Sequence, residues 1–156
     1  MTATGRILEF DFAATDVATR RALAGLTHRL PELEIGPDMG GCIEIVLAEA
    51  LNNVVEHAYA ARPGGKIRVR LRRTRSHLVV TIRDTGRPFP GKRLPPFVEL
   101  DLSGSLDSLP EGGFGWSLIR DLTGAVRYRH ISGVNVLYLR MDLDPANAPC
   151  RKTMFG

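Results

Sequence analysis

The runs Lys66-Ile67-Arg68-Val69-Arg70-Leu71-Arg72-Arg73-Thr74 and His77-Leu78-Val79-Val80-Thr81-Ile82-Arg83 decide the fold. In the first run basic residues alternate with Ile67, Val69 and Leu71, the period of a strand with one wet and one buried face. Arg75-Ser76 is a link short enough to fold the two runs into a hairpin. Arg62-Pro63-Gly64-Gly65 stops whatever precedes them and turns the chain into the first strand. An antiparallel pair is therefore the starting point of the sheet.

Towards the N-terminus, Gly5 to Phe12 reads as a strand. Thr15 or Asp16 caps a helix that carries Val17, Leu23, Leu26 and Leu30 and ends before Pro31. Pro37-Asp38 opens a longer helix reaching about Ala61. Towards the C-terminus, Thr85 to Gly113 holds prolines at 88, 90, 95, 96 and 110. A loop of that length within one domain is usually functional, and here it reads as a lid. A helix from Trp116 to Thr123 follows, then strands Ala125–His130 and Asn135–Asp142 about the turn Ser132-Gly133. Residues 144–156 read as a loose tail, which leaves residues 1–143 as a single domain. The order β-α-α-β-β-loop-α-β-β predicts an α+β fold. It is a two-layer α/β sandwich with a mixed, mostly antiparallel sheet and its helices on one face.

With 156 residues, 44% hydrophobic and 24% charged, the chain has the composition of an ordinary globular domain. No apolar run is long enough to span a membrane, and the N-terminus lacks the pattern of a secretory signal. Cys42 and Cys150 have no metal-ligand spacing and read as free thiols, which makes the cytoplasm the expected compartment. The formal charge of +4 comes largely from residues 66–75. No aromatic residues interleave those basic ones, so a solvated sheet face is preferred to a nucleic-acid platform.

Three places carry chemistry. On the helix after Pro37, Glu49, Asn53 and His57 recur at i, i+4 and i+8 beside the apolar stripe Ile43, Leu47, Ala50, Leu51, Val54 and Ala58. Polar groups there can line a cleft, or simply border a buried face. Asp84-Thr85-Gly86 ends a strand abruptly; the carboxylate can accept from an adenine-like amino group, or cap its own turn. In Glu111-Gly112-Gly113-Phe114-Gly115-Trp116-Ser117-Leu118-Ile119, glycines before a helix let backbone N–H groups approach phosphate oxygens. The Lys-Ser/Thr of a P-loop is missing, and the segment is not the first turn of a dinucleotide-binding unit.

In order and separation, Glu49-Ala-Leu-Asn-Asn53-Val-Val-Glu-His57-Ala, Asp84-Thr-Gly86 and Gly113-Phe-Gly115-Trp-Ser-Leu118 resemble the N, G1 and G2 boxes of the GHKL (histidine-kinase-like) ATPase superfamily. Within it, the chain is most similar to the small RsbW/SpoIIAB-type anti-sigma serine/threonine-protein kinases, over residues 5 to 143. The resemblance implies the Bergerat-type ATP-binding fold and an ATP/ADP and Mg²⁺ site. It makes Asn53 the metal ligand, Glu49 the base for the attacking hydroxyl, and Asp84 the adenine reader, with Gly86 allowing close approach. Gly113, Phe114 and Gly115 would lie along the phosphates, and Leu118 would pack the helix on the sheet. His57 is counted with the nucleotide contacts, although packing accounts for it equally well.

The implied partners are a STAS-domain anti-anti-sigma protein that is phosphorylated, a sigma factor that is sequestered, and a second copy of the chain. Membrane and nucleic acid are not expected partners. Two alternatives stay open: a nucleotide-dependent binding switch with little transfer, and a catalytic module acting in trans in a two-component-like pathway. His28 precedes Arg29-Leu-Pro31 at a helix end, which argues against a self-contained histidine kinase. Two departures from the family pattern bear on lid geometry: Pro88, where a glycine is common, and the bulky Trp116 after Gly115.

Overall fold

A computed structural model describes residues 5–59, 64–95 and 114–149. The elements are β1 (Ile7–Ala13), α1 (Asp16–Arg29), α2 (Pro37–Tyr59), β2 (Lys66–Arg73), β3 (His77–Asp84), α3 (Phe114–Leu122), β4 (Ala125–Ile131) and β5 (Val134–Asp142). Short 3₁₀ turns occupy Leu30–Leu33 and Pro90–Lys92. Thr15 is the N-cap of α1, its hydroxyl accepting from the Ala18 N–H at 3.2 Å.

The strands lie in the order β1-β2-β3-β5-β4, and every pairing is antiparallel. The expected mixed sheet is thus wholly antiparallel among the described residues. On β2, Ile67, Val69 and Leu71 are fully buried while the basic residues between them are exposed. With Leu78, Val80 and Ile82 of β3 and Leu137, Leu139 and Met141 of β5, they meet the helices. The helix layer presents Ile43, Val46, Leu47, Ala50 and Leu51 of α2 at zero exposure.

Each of the Val, Leu, Ile and Met side chains removed from water contributes about 1.5–3 kcal/mol, so this interface holds the two layers in a fixed relation. The C-terminal segment is not loose where it is described. Asp144 organises a turn through the N–H groups of Ala146 and Ala148, and Ala148 is 2% exposed.

The expectation of free thiols fails at Cys42, which is disulfide-bonded and fully buried on α2. Sequence separation carries no information on whether two cysteines meet in space, so the thiol argument for a reducing compartment falls away; Cys150 lies outside the described residues. Among the described residues no helix is long and apolar enough to cross a membrane.

Candidate functional site

The central helix α2 brings two of the three motifs together. Glu49 and Asn53, one turn apart, face the start of α3, where Gly115 comes so close that a Cβ there would lie 2.5 Å from Glu49 Oε2 and 3.4 Å from Asn53 Nδ2. Glycine is required at 115 for this approach. The Asn53 Nδ2 atom is buried and has no hydrogen-bond partner. Exchanging the two ends of the amide would place Oδ1 there, so either a donor or an acceptor is directed at an unfilled position. A buried polar atom left unpaired costs about 1–3 kcal/mol, which suits a position completed by a ligand.

The strand-end motif is held by the other end of α2. The Arg87 N–H donates to the Ala58 carbonyl at 3.1 Å, and the Thr85 N–H donates to the Tyr59 hydroxyl at 3.2 Å. Gly86 permits this closeness: a Cβ there would stand 2.6 Å from the Ala58 carbonyl oxygen. Asp84 is 6% exposed, and its Oδ1 accepts from the Gly86 N–H at 2.9 Å and from Asn135 Nδ2 at 2.8 Å.

Burial pushes the Asp84 carboxyl above the ordinary aspartate range, while the donors from Asn135 and Gly86 and the nearby His130 draw it back. Asp84 therefore caps its own turn, the second of its two sequence readings, and does so as a buried acceptor.

Phe89 fills the space beside Asp84. It is 6% exposed, with its ring centroid 4.9 Å from Tyr128 and 5.5 Å from both His57 and Trp116, all in edge contacts. The cavity left among Val54, His57, Asp84, Phe89, Tyr128 and Asn135 is only about 10 Å³, room for one water at most. A larger hollow of about 620 Å³ opens past Gly86, lined by His57, Thr85, Arg87, Pro88 and His130 among others.

His57 is exposed and packs on Phe89. Trp116, marked in the sequence as too bulky, is a 4% exposed wall of this aromatic cluster. Leu118 packs against the core from the partly buried side. Gly113 and the Phe114 side chain lie outside the described residues.

Asn135 and Tyr128 are the site residues that sequence reasoning missed. Asn135 falls in the inward series of β5 with Leu137, Leu139 and Met141, and a polar residue in a buried register is the signal that could have found it. Among the described residues no cluster of three or more His, Cys, Asp or Glu could hold a metal by itself.

The histidine kinase-like ATPase domain family matches residues 12–141. The chain is 37% identical over 98 residues to the serine/threonine-protein kinase BtrW of Bordetella bronchiseptica, covering 62% of this chain and 66% of that one. It is 33% identical over 98 residues to the serine-protein kinase RsbW of Bacillus subtilis, covering 60% and 59%. The aligned region thus spans roughly three-fifths to two-thirds of these relatives' length. The crystal structure of the RsbU and RsbW domains of Rv1364c from Mycobacterium tuberculosis shares the fold, with a TM-score of 0.56 at 20% identity over 86% of this chain and 32% of that one. The chain belongs to the histidine kinase-like ATPase domain family.

Proposed function

We propose that this chain binds Mg-ATP and acts as a protein serine/threonine kinase, an anti-sigma-type regulator within a partner-switching system. Its phosphorylated partner is a STAS-domain antagonist, its sequestered partner a sigma factor, and it works as a homodimer. The observation that carries this reading is the Asn53 amide atom, buried and unpartnered beside Glu49 and Gly115. Support comes from BtrW and RsbW, relatives named as kinases of serine or threonine in proteins.

In this reading the base lies against Asp84 and the phosphates lie toward the N-terminal turn of α3, where the helix dipole favours anions. Asn53 would give an oxygen to Mg²⁺, a cation that keeps water and phosphate oxygens as its other ligands and offsets charge on the transferring group. Glu49 takes the proton of the incoming serine or threonine hydroxyl. That oxygen bonds to the γ-phosphorus as the bond to the β-phosphate oxygen breaks and ADP leaves.

A second reading, a nucleotide-dependent switch with little transfer, is favoured by Phe89. Its ring occupies the space next to Asp84, so base entry requires this segment to move. Incubation with Mg-ATP and a STAS-domain protein encoded nearby, followed by intact-mass measurement, separates the two. A gain of one phosphate on the partner, absent with Asn53→Ala, supports the kinase. Nucleotide binding without any gain selects the switch, and a wild type that binds no ATP sinks both.

A further inference from the structure

Asp84, Asn135 and His130 are cross-strand neighbours in a single row on β3, β5 and β4. The adjacent inward row, Ile82, Leu137 and Tyr128, is mostly apolar, so the polar row is a local exception at one end of the sheet. Asn135 is 3% exposed and uses its whole amide. Nδ2 donates to Asp84 Oδ1 at 2.8 Å and to the Gly86 carbonyl at 3.0 Å, while Oδ1 accepts from the Tyr128 hydroxyl at 2.7 Å.

The chemistry fixes this orientation, because an ionised carboxylate and a carbonyl can only accept. His130 Nδ1, 2.7 Å from the same Oδ1, must therefore carry its hydrogen there. The Tyr128 oxygen in turn accepts from the Phe89 N–H at 3.2 Å. Three hydrogen bonds thus run unbroken from Phe89 through Tyr128 and Asn135 to Asp84.

We propose that Asn135 is a positioning residue for base recognition, and that Tyr128 ties it to the segment at Phe89. The proposal rests on the nucleotide-binding reading above. Asn135 and Gly86 both donate to Asp84 Oδ1, and the Tyr59 hydroxyl also bonds the carboxylate. With about four lone-pair sites, the carboxylate keeps acceptor capacity for the amino group of an adenine-class base. A base with an oxo group in that place would set acceptor against acceptor and be rejected. The Asn135 donor also favours the ionised carboxylate against the burial that opposes it. The other titratable or charged groups around Asp84 are His57 and Tyr59 from α2, Arg87 after β3, and Tyr128 and His130 from β4. All of these survive substitution of Asn135.

The test compares wild type with Asn135→Leu, Tyr128→Phe and Asp84→Ala, measuring ATP and ITP affinity by calorimetry from about pH 5 to about pH 8. Asn135→Leu is expected to bind ATP about 10- to 100-fold more weakly and to lose much of the ATP-over-ITP preference. Its loss of affinity on acidification is expected to begin at higher pH than in wild type. Tyr128→Phe, which keeps the ring, is expected to cost about 3- to 10-fold.

A second readout needs no nucleotide: the ¹⁵N shifts of His130 report hydrogen on Nδ1 in wild type and a changed tautomer population in Asn135→Leu. Equal weakening for ATP and ITP at every pH would show that Asn135 only supports the fold, and would overturn the proposal. So would an unchanged His130 tautomer. If wild type binds ATP and Asp84→Ala binds it equally well, base reading by Asp84 itself fails, a result distinct from failure at Asn135 alone.

Discussion

On its helix-facing side the sheet ends in a polar row, buried Asp84 and Asn135 with half-buried His130, joined by hydrogen bonds through the Asn135 amide. On its open side β2 carries Arg68, Arg70 and Arg72, β3 carries Arg83, and β4 and β5 carry Arg127, Arg129 and Arg140, all exposed. Among the described residues only Glu9, at the β1 border, pairs with any of these, reaching Arg70 at 3.7 Å and Arg68 at 4.0 Å. The open face holds most of the charge and the buried row almost none of it. Even so, it is the buried row that the proposed function assigns to base recognition. A few polar atoms in low dielectric, joined by hydrogen bonds, hold a defined geometry; many guanidinium groups in water fix little.

That difference is testable first on α2, at the residue proposed as the base. Glu49→Gln keeps the shape beside Gly115 and removes the proposed base, so phosphoryl transfer is expected to fall about 10³-fold with ATP affinity nearly unchanged. Arg129→Gln on the open face should leave the same rate alone. Single-turnover kinetics on both variants would break the contrast if the two losses proved comparable.

Phe89→Ala tests the aromatic ring that fills the space beside Asp84, where the proposed function places the base. Loss of a buried ring is expected to cost about 3 kcal/mol of stability, read from the denaturant midpoint. Nucleotide affinity should nonetheless rise about 5-fold, because the competing occupant has gone. Weaker binding would mean that the ring forms part of the nucleotide's contact surface instead.

Asp84→Asn sets stability against function within the buried row. Burial raises the folded-state pKa of Asp84, so over a window above the ordinary aspartate value the folded chain holds a proton that the unfolded chain has lost. The stability tied to that proton is complete below the ordinary value and is lost as pH rises through the folded pKa. Asparagine keeps both bonds to Oδ1 and never ionises. Tm is therefore expected to rise by a few degrees at neutral pH and not at all in acid, while ATP affinity falls. A variant less stable at neutral pH would show that the carboxylate's hydrogen bonds outweigh its desolvation.

The hairpin, the three helices and the strand order along the chain are legible in the sequence because apolar periodicity and Pro-Gly stops are local. Glu49 and Asn53 are legible as a stripe, and their meeting with Gly115 through family resemblance. Asn135 escapes notice because its meaning depends on register: only when β5 pairs with β3 does it stand opposite Asp84. Phe89 escapes because it lies in a proline-rich run with no period, and its burial comes from His57, Trp116 and Tyr128, distant in sequence. The Cys42 disulfide is invisible for the same reason.

The smallest expected effect lies on the open face, and its sign is informative. Arg68 and Arg83 are direct cross-strand partners between β2 and β3, and like charges placed so oppose pairing. Arg68 has some relief from Glu9, whereas Arg83 makes no ion pair among the described residues. Arg83→Gln should therefore raise Tm by about 1–2 °C at low salt, with ATP affinity unchanged. Screening weakens the repulsion in wild type as well, so the gain should disappear near 0.5 M salt, where the Debye length falls to about 4–5 Å. A gain that persists in high salt would assign the effect to strand propensity or packing, and a loss would mean that Arg83 contributes a contact of its own.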